Sequence, residues 1–387
     1  MTRVNIHRPP WIIAIASFAT FPRTSTSLRF VARFTRLEQL SRRPMSSFTR
    51  ASTPALIDVD CNLCHADLKS LRNSNENDVT GIGDILTEDA VAESNIVAML
   101  SPSSTLEEAR RSILFLNDKE KRKQWNLEIL TTVGVHPYHV KEKELGSPDL
   151  HYAEFQELLH SSPHFIAAIG ECGLDASDGF PPLEDQIPWF EAQVQWAREF
   201  RLPLFVHERL AFHETMRILE DITMMTSSTN SEQKQHQVPV IIHCFTGTRE
   251  ECAQYVARGY SFSVSGFLAK KDGMEVRQCL IDGVIPLDKL MIETDAPYMG
   301  FSGCRDQWME KHWDHVASLN SKQRKRLQNT IYPNLPSALP LVLDQVVECI
   351  NAGRKIRGEV EFTREYLAQV TTKNAIEFFG FKCLNLE

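Results

Sequence analysis

Short apolar runs rich in β-branched residues alternate along this chain with longer segments of helical periodicity. The eight runs are ALIDVD (55–60), SNIVAML (94–100), LEILTTVGVHP (127–137), FIAAIGE (165–171), LPLFVHE (202–208), VPVIIHCF (238–245), GYSFSVSG (259–266) and DKLMIETDAP (288–297). Between two of them, LEDQIPWFEAQVQWAREF (183–200) repeats apolar residues at helical spacing. Such alternation is typical of βα units around a parallel sheet. Eight units predict an α/β fold with a single (β/α)8 TIM barrel, interrupted by loop insertions.

Polar side chains follow six of these predicted strands. They are Asp58, Asp60 and Asn62 after the first strand, His136 after the third, Glu171 after the fourth, His207 after the fifth, His243 after the sixth and Asp295 after the eighth. In a barrel of this kind all strands end at one rim, where active sites are built. His, Glu and Asp side chains converging without thiols are a ligand set for one or two divalent metal ions.

Each of these residues also has an ordinary structural interpretation. A single histidine at a strand end is more often a hydrogen-bonded rim residue than a ligand. Asp295 could cap a helix, since Asp is favoured at that position, and Glu171 could be a surface acid. Only their shared placement beyond apolar strands favours a common site.

Composition narrows the class of protein. Hydrophobic residues make up 42% of the chain and charged residues 24%, which is ordinary for a soluble globular enzyme. No run of 18 or more apolar residues predicts a membrane span. The nine cysteines are scattered and odd in number, which favours a reducing compartment over a disulfide framework.

The N-terminal segment differs from the rest of the chain. Residues 1–50 contain nine arginines, no lysine and one acidic residue, Glu38, and they are rich in Ser and Thr. This composition is typical of a mitochondrial or plastid transit peptide. A secretory signal and a disordered tail are the alternatives, and a start at Met45 would give a cytoplasmic form. We therefore expect residues 1–50 to be a targeting or disordered segment and residues 51–387 to be one catalytic domain.

The charge of the predicted domain bears on its partners. Residues 51–387 carry 33 basic and 49 acidic side chains, a net charge of −16. Such an acidic body argues against broad, non-specific binding of nucleic acid. It remains compatible with an enzyme that holds phosphates through metal ions and a few local donors.

Six motifs, in order, resemble those of the TatD family of metal-dependent deoxyribonucleases, which belongs to the amidohydrolase-like barrels. They are TVGVHP (132–137), IGECGLD (169–175), LPLFVHER (202–209), IIHCFTGT (241–248), IETDAPYM (292–299) and TTKNAIEFFG (371–380). The resemblance covers about residues 55–381. Relative to that family, residues 221–237 and 301–340 are interpreted as insertions.

The resemblance implies a role for each matching residue. Glu171 would bridge two metal ions, and His207 and His243 would hold the second ion. Asp295 would hold the first ion and orient or deprotonate the attacking water. His136 would lie close to the substrate and contact its phosphate. The expected cofactors are two divalent ions, either Mg²⁺ or Mn²⁺, with Zn²⁺ as the alternative. The expected substrate is DNA. We expect the protein to be a monomer that does not associate with a membrane.

The chain departs from the family pattern after the first strand. Most members carry H-x-H there, whereas this chain has Asp60 and Asn62 in those positions. A carboxylate and an amide suit Mg²⁺ or Mn²⁺ better than Zn²⁺, so we predict a weakly held first ion. Cys61 begins a C-x-x-C-H haem-attachment pattern, but strand alternation points its side chain away from its two neighbours, which predicts a core residue.

A second departure follows His207, where HERLAF replaces the usual Ser, Arg, Asp run. Arg209 is kept, and it could bind a phosphate or stabilise the local structure, with the structural role favoured.

The leading functional hypothesis is a metal-dependent nuclease that releases nucleotides from DNA ends. The alternatives are a related barrel hydrolase acting on an amide, lactone or ester, and a non-catalytic scaffold.

Overall fold

The structure is a computed structural model, and it describes residues 54–65, 68, 94–119, 127–141, 146–224, 238–318 and 320–382. Residues 1–50, interpreted above as a targeting segment, lie outside this set, as does most of the predicted insertion at 221–237. None of the described helices is both long and apolar enough to cross a membrane.

All eight predicted strands are present among the described residues, and they pair in parallel in chain order. They are β1 (Leu56–Asp58), β2 (Ile96–Ser101), β3 (Glu128–Val133), β4 (Ile166–Asp175), β5 (Leu204–Arg209), β6 (Val240–Ile242), β7 (Ser261–Val264) and β8 (Leu290–Ile292). With helices between the strands, this is the predicted (β/α)8 architecture.

The described α-helices surround this sheet. They are α1 (Leu106–Asn117), α2 (Tyr152–Ser161), α3 (Leu183–Phe200), α4 (Phe212–Met224), α5 (Arg249–Ala257), α6 (Met274–Asp282), α7 (Asp306–Lys311), α8 (Trp313–Ser318), α9 (Ser321–Asn329), α10 (Leu339–Arg357) and α11 (Arg364–Phe379). The bounds of α3 coincide with the segment predicted as helical. The predicted insertion at 301–340 holds the three short helices α7, α8 and α9.

The barrel closes where β1 meets β8. Val59 N–H donates to the Ile292 carbonyl (3.2 Å), and Asp295 N–H donates to the Asp60 carbonyl (2.8 Å). Helix α11 covers this seam, because Asn374 Nδ2 donates to the Leu290 carbonyl at 2.8 Å. The first and last strands are thereby joined at the rim where the candidate residues lie.

Candidate metal centre

The structure brings the sequence-predicted residues to one rim of the barrel. Glu171 lies within β4 and His207 within β5, while Asp60, Asn62, His136, His243 and Asp295 lie within four residues after the ends of their strands. Asp60, Glu171, His243 and Asp295 are buried, and Asn62, His136 and His207 are partly buried. Arg209, at the end of β5, is exposed.

One oxygen of Glu171 lies at the centre of the site. Its Oε1 is 3.2 Å from His136 Nε2 and 3.1 Å from His207 Nδ1. The same oxygen is 2.9 Å from His243 Nε2. We call these four residues the histidine cluster. Burial alone would raise the pKa of Glu171, but His136 and His243 hold it well below its usual value, so this carboxylate stays ionised.

A second carboxylate orients His207. His207 Nε2 lies 2.8 Å from Asp175 Oδ2, and Asp175 is the last residue of β4. This carboxylate accepts a hydrogen bond from Nε2–H, which leaves the lone pair of Nδ1 facing Glu171 in the neutral ring. A carboxylate behind a histidine in this way is the usual support of a metal ligand. Burial lowers the pKa of His207, but Asp175 and Glu171 raise it to above its usual value.

His136 has the opposite arrangement. Its Nδ1 accepts a hydrogen bond from the Tyr138 backbone N–H at 3.1 Å. Burial lowers the pKa of His136 despite the nearby Glu171, so the ring is neutral near pH 7. The remaining proton must then sit on Nε2, which faces the cluster as a hydrogen-bond donor.

His243 joins the histidine cluster to two more carboxylates. Its Nε2 faces Glu171, while its Nδ1 lies 3.0 Å from Asp60 Oδ2 and 3.7 Å from Glu293 Oε1. These two oxygens and Nδ1 are buried, and none of the three has a well-aligned hydrogen bond. Although burial lowers the pKa of His243, Glu171 and Asp60 raise it well above its usual value. We call Asp60 and Glu293 the inner acidic pair.

Asn62 links the segments that follow the first and the last strand of the barrel. Its Nδ2 lies 3.3 Å from both Asp60 Oδ1 and Asp295 Oδ1. Asp295 has a φ of 51°, in the left-handed region that Asp tolerates better than most residues. This backbone conformation directs the residue after β8 back towards β1, where its N–H is bonded to Asp60.

Asp58 fixes the loop that carries Asp295. Its Oδ1 accepts from the Thr294 N–H (2.9 Å), and its Oδ2 accepts from Thr294 Oγ1 (2.6 Å). On the other side of the loop, Asn334 Nδ2 donates to the Thr294 carbonyl at 2.9 Å. Burial raises the pKa of Asp58 to about 8. Asp58 therefore acts as a positioning residue behind the pocket.

Buried negative charge dominates this part of the molecule. Six carboxylates are at most 8% exposed, namely Asp58, Asp60, Glu171, Asp175, Glu293 and Asp295. The three cluster histidines cannot pair with all six, and because unpaired buried charges are costly, burial raises the pKa of Asp58 and Asp60 so that they hold protons in the cation-free protein. Burial, reinforced by Glu293 and Glu171, raises the pKa of Asp295 to about 7. Imidazole donors and carboxyl groups that can give up a proton to a cation fit the binding of divalent cations.

Helix α3 holds two strand ends in place through buried glutamines. Gln193 accepts from the Val135 N–H (2.7 Å) and donates to the Val135 carbonyl (3.1 Å). Gln186 makes the same pair of bonds with the backbone of Asp175, both at 2.8 Å. The two side chains are seven residues apart on one helix face, so a single helix positions the loop of His136 and the end of β4.

Three cysteines directly follow pocket residues in the sequence. Cys61 follows Asp60, Cys172 follows Glu171, and Cys244 follows His243. Cys61 and Cys172 are fully buried in the core, as predicted for Cys61, and Cys244 is 8% exposed. Burial raises the pKa of all three thiols. They are neutral packing groups and supply no thiolate to the pocket.

Sequence reasoning did not identify Asp175 or Glu293 as site residues. Both lie in recognised motifs, IGECGLD and IETDAPYM, in which Glu171 and Asp295 were predicted as the site residues. The predicted fourth strand ended at Glu171, whereas β4 continues to Asp175, so the sequence did not mark Asp175 as a strand end. Glu293 precedes the strand-end aspartate by two residues, and strand alternation gives both residues the same face.

Comparison with known proteins gives one family. A family model described as TatD related DNase matches residues 57–380. A curated relative named 3'-5' ssDNA/RNA exonuclease TatD, from Pantoea vagans, is 36% identical over 172 residues, which is 44% of this chain and 58% of the relative. A relative of the same name from Shigella flexneri is 36% identical over 171 residues, with the same coverage. The match thus spans little more than half of these relatives.

Solved structures show the same fold at lower identity. A TatD family hydrolase from Entamoeba histolytica superposes with a TM-score of 0.62 and 20% identity, covering 85% of this chain and 99% of that one. An uncharacterised amidohydrolase from Saccharomyces cerevisiae gives a TM-score of 0.61 and 20% identity, covering 84% of this chain and all of the other.

Proposed function

The chain belongs to the family of TatD-related DNases, and we propose that it is a metal-dependent deoxyribonuclease that hydrolyses phosphodiester bonds at DNA ends. One observation carries the proposal: three histidine nitrogens surround a single Glu171 oxygen, with further buried carboxylates beside them. The relatives named as 3'-5' ssDNA/RNA exonucleases support single-stranded ends as the substrate.

Two divalent cations, Mg²⁺ or Mn²⁺, are proposed to occupy the pocket. Glu171 would contact both, with His207 and His243 holding one, and Asp295, Asp60 and Asn62 holding the other. When bound, the cations neutralise the phosphate charge and polarise its oxygens towards attack. His207 suits its role because Asp175 directs its Nδ1 lone pair at the pocket, and His243 suits its role because its Nδ1 faces the inner acidic pair.

The remaining chemistry belongs to side chains of the chain itself. A water oxygen attacks phosphorus, the bond from phosphorus to the leaving oxygen breaks, and the leaving oxygen takes up a proton from solvent water. Asp295, at the pocket edge, accepts the proton of the attacking water. His136 donates its Nε2–H to a non-bridging phosphate oxygen, because its Nδ1 is engaged by Tyr138. A donor placed there strengthens its bond as negative charge develops.

A digestion assay tests the proposal. Single-stranded DNA labelled at either end should be degraded with Mg²⁺ or Mn²⁺, and EDTA should stop the reaction. Glu171→Ala and Asp295→Ala should each lose at least about 100-fold in rate, the usual scale for general acid–base groups. Glu361→Gln changes an exposed carboxylate in a loop and is the matched control.

Two other outcomes would contradict this proposal. Intact DNA across several metals together with hydrolysis of small amides, lactones or esters would identify the related barrel hydrolase. Inertness towards both substrate classes would favour a scaffold. The label that is released first reports the polarity of digestion.

The number of cations has its own experiment. Anomalous scattering from a crystal soaked in Mn²⁺ would count the ions and identify their ligands. If the position beside Asp60 and Asn62 stays empty even with a nucleotide bound, the two-cation form of the proposal fails. One ion at the histidine cluster would then remain.

Localisation is a separate proposal. The arginine-rich, acid-poor composition of residues 1–50 supports import into mitochondria or plastids. A fluorescent fusion of the full chain should reach the organelle, and a fusion beginning at Met45 should stay in the cytoplasm. Sedimentation of the purified protein would test the proposed monomer.

A further inference from the structure

Tyr138 presents an exposed ring at one side of the pocket. The tyrosine side chain is 56% exposed. Its backbone is anchored, because the Tyr138 N–H donates to Nδ1 of the His136 imidazole. The centroid of the Tyr138 ring lies 5.5 Å from that of Phe180. Phe180 in turn lies almost parallel to His207, at 6.1 Å and 20°. A continuous series of rings therefore leads from solvent to the histidine cluster.

Tyr298 presents a second exposed ring on the loop after β8. It is 46% exposed, and its N–H donates to the Asp295 carbonyl at 2.7 Å. Its hydroxyl lies 3.0 Å from His65 Nε2, and its ring lies 6.2 Å from that of Tyr332. This ring is thus tied to Asp295 after β8, whereas Tyr138 is tied to His136 after β3.

The negative charge of the domain bears on how it could bind a nucleic-acid strand. With a net charge of −16 over residues 51–387, the body repels a phosphate backbone instead of attracting it. Affinity for a strand must therefore come from short-range contacts beside the cations. Stacking of a base on an aromatic side chain is worth about 1–3 kcal/mol and tolerates any base, because every base has a π face.

We propose that Tyr138 and Tyr298 are stacking faces for the two bases that flank the scissile phosphate. This inference rests on the proposed nuclease function and deepens it. Bases within a duplex already stack on each other and cannot also cover these rings. The two tyrosines therefore select unpaired ends, whether the strand is DNA or RNA.

The first test compares ring removal with ring retention. For a single-stranded oligonucleotide, Tyr138→Ala and Tyr298→Ala should each lower kcat/KM by about 10-fold, mainly through KM, whereas Tyr138→Phe and Tyr298→Phe should stay near the parent. Tyr366→Ala removes an exposed tyrosine on α11 and is the matched control. Equal losses in the Ala and Phe variants would overturn stacking in favour of a hydroxyl role.

The second test removes the base. An oligonucleotide with abasic sites at its last two positions should be a poorer substrate for the parent protein. The Ala variants should lose much less on this strand than on the intact one. A loss of the same size on both strands would mean that the rings support the pocket itself, and the inference would fail.

Binding separates this inference from the proposed function. Fluorescence anisotropy in Ca²⁺ or EDTA measures affinity for the labelled strand without turnover. If the parent protein binds but never cleaves, the nuclease proposal fails while the tyrosine variants still test stacking. If cleavage occurs and the Ala variants bind as tightly as the parent, the stacking faces are refuted.

Discussion

His243 has a different partner on each ring nitrogen, and this defines a test of the inner acidic pair. Glu293→Gln removes one negative charge from behind Nδ1 while keeping the volume of the side chain. Loss of such a supporting carboxylate typically lowers metal affinity 10–100-fold. We expect a loss of that size for Mn²⁺, measured by calorimetric titration. Glu361→Gln should titrate like the parent, and an unchanged affinity in Glu293→Gln would argue that this carboxylate does not support His243.

His136 differs from the other two cluster histidines in the nitrogen that carries its proton. Because Nε2 is a donor, His136→Gln should leave the affinity for Mn²⁺ near that of the parent while lowering kcat by about 100–1,000-fold, as for a lost transition-state donor. His207→Gln should instead lower metal affinity strongly. A parallel loss of metal affinity in both variants would identify His136 as a ligand.

Which nitrogen carries the proton could not be obtained from the sequence. The motifs gave the identities of the histidines and the strands that carry them. The tautomers depend on Asp175 for His207 and on the backbone of Tyr138 for His136. Those contacts exist only after neighbouring strands have been brought together. Asn62, predicted as a ligand through its amide, faces the pocket with its Nδ2 beside two carboxylates.

The close approach of β4 and β5 positions His207 at the level of the element. Gly173 has a φ of 139°, and a Cβ atom built there would collide with the His207 carbonyl. We expect Gly173→Ala to lower thermal stability by several degrees and to weaken Mn²⁺ binding, because β5 must move. Circular dichroism and calorimetry measure the two effects.

Gly179→Ala provides the matched control for this substitution. Gly179 also has a positive φ, 93°, but nothing lies within 4 Å of a Cβ built there. It therefore carries the backbone strain without the collision. If both variants lost metal affinity equally, strand spacing would not be the cause.

The elements themselves were largely predictable from the sequence. All eight strands and the bounds of α3 follow from periodicity. The sixth strand is shorter than its apolar run, 240–242 instead of 238–245, because Cys244 turns into the left-handed region with a φ of 43°. Gln186 and Gln193 were missed as buried residues, since a glutamine on a helix usually faces solvent.

At the scale of the whole molecule, surplus buried charge couples stability to pH. The folded pKa of Asp58 is about 8 and that of Asp295 about 7, both above the ordinary 3.8. Their stabilising contribution is fully present below about pH 4 and is lost as pH rises through 7–8, because the folded state holds more protons. Glu171 and Asp175 act in the opposite sense, but only near and below their ordinary values of 4.5 and 3.8.

The cation-free protein should therefore melt several degrees lower at pH 8 than at pH 5.5 in EDTA. Adding Mn²⁺ at pH 8 should reverse the loss, since a ligand that binds only the folded state stabilises it. Thermal unfolding followed by circular dichroism in matched buffers measures both. A cation-free protein that melts higher at pH 8 would contradict the charge argument.

Binding of Mn²⁺ should also displace the protons that these carboxyls hold. Calorimetry at pH 6.5 in buffers of different ionisation enthalpy should reveal net proton release, which diminishes at pH 8.5. Asp295→Asn should release fewer protons than the parent. The same stoichiometry at both pH values would show that the pocket is already ionised before the cation arrives.

The buried cysteines that directly follow Asp60, Glu171 and His243 in the sequence can serve as probes of local opening at the rim. Only the thiolate of an accessible cysteine attacks iodoacetamide and displaces its iodide, so labelling of Cys61, Cys172 or Cys244 reports an opening of the rim. Peptide mass spectrometry of a timed iodoacetamide reaction would then give an opening rate for three strands separately. Saturating Mn²⁺ should slow all three together if the cations pin the strands as one unit.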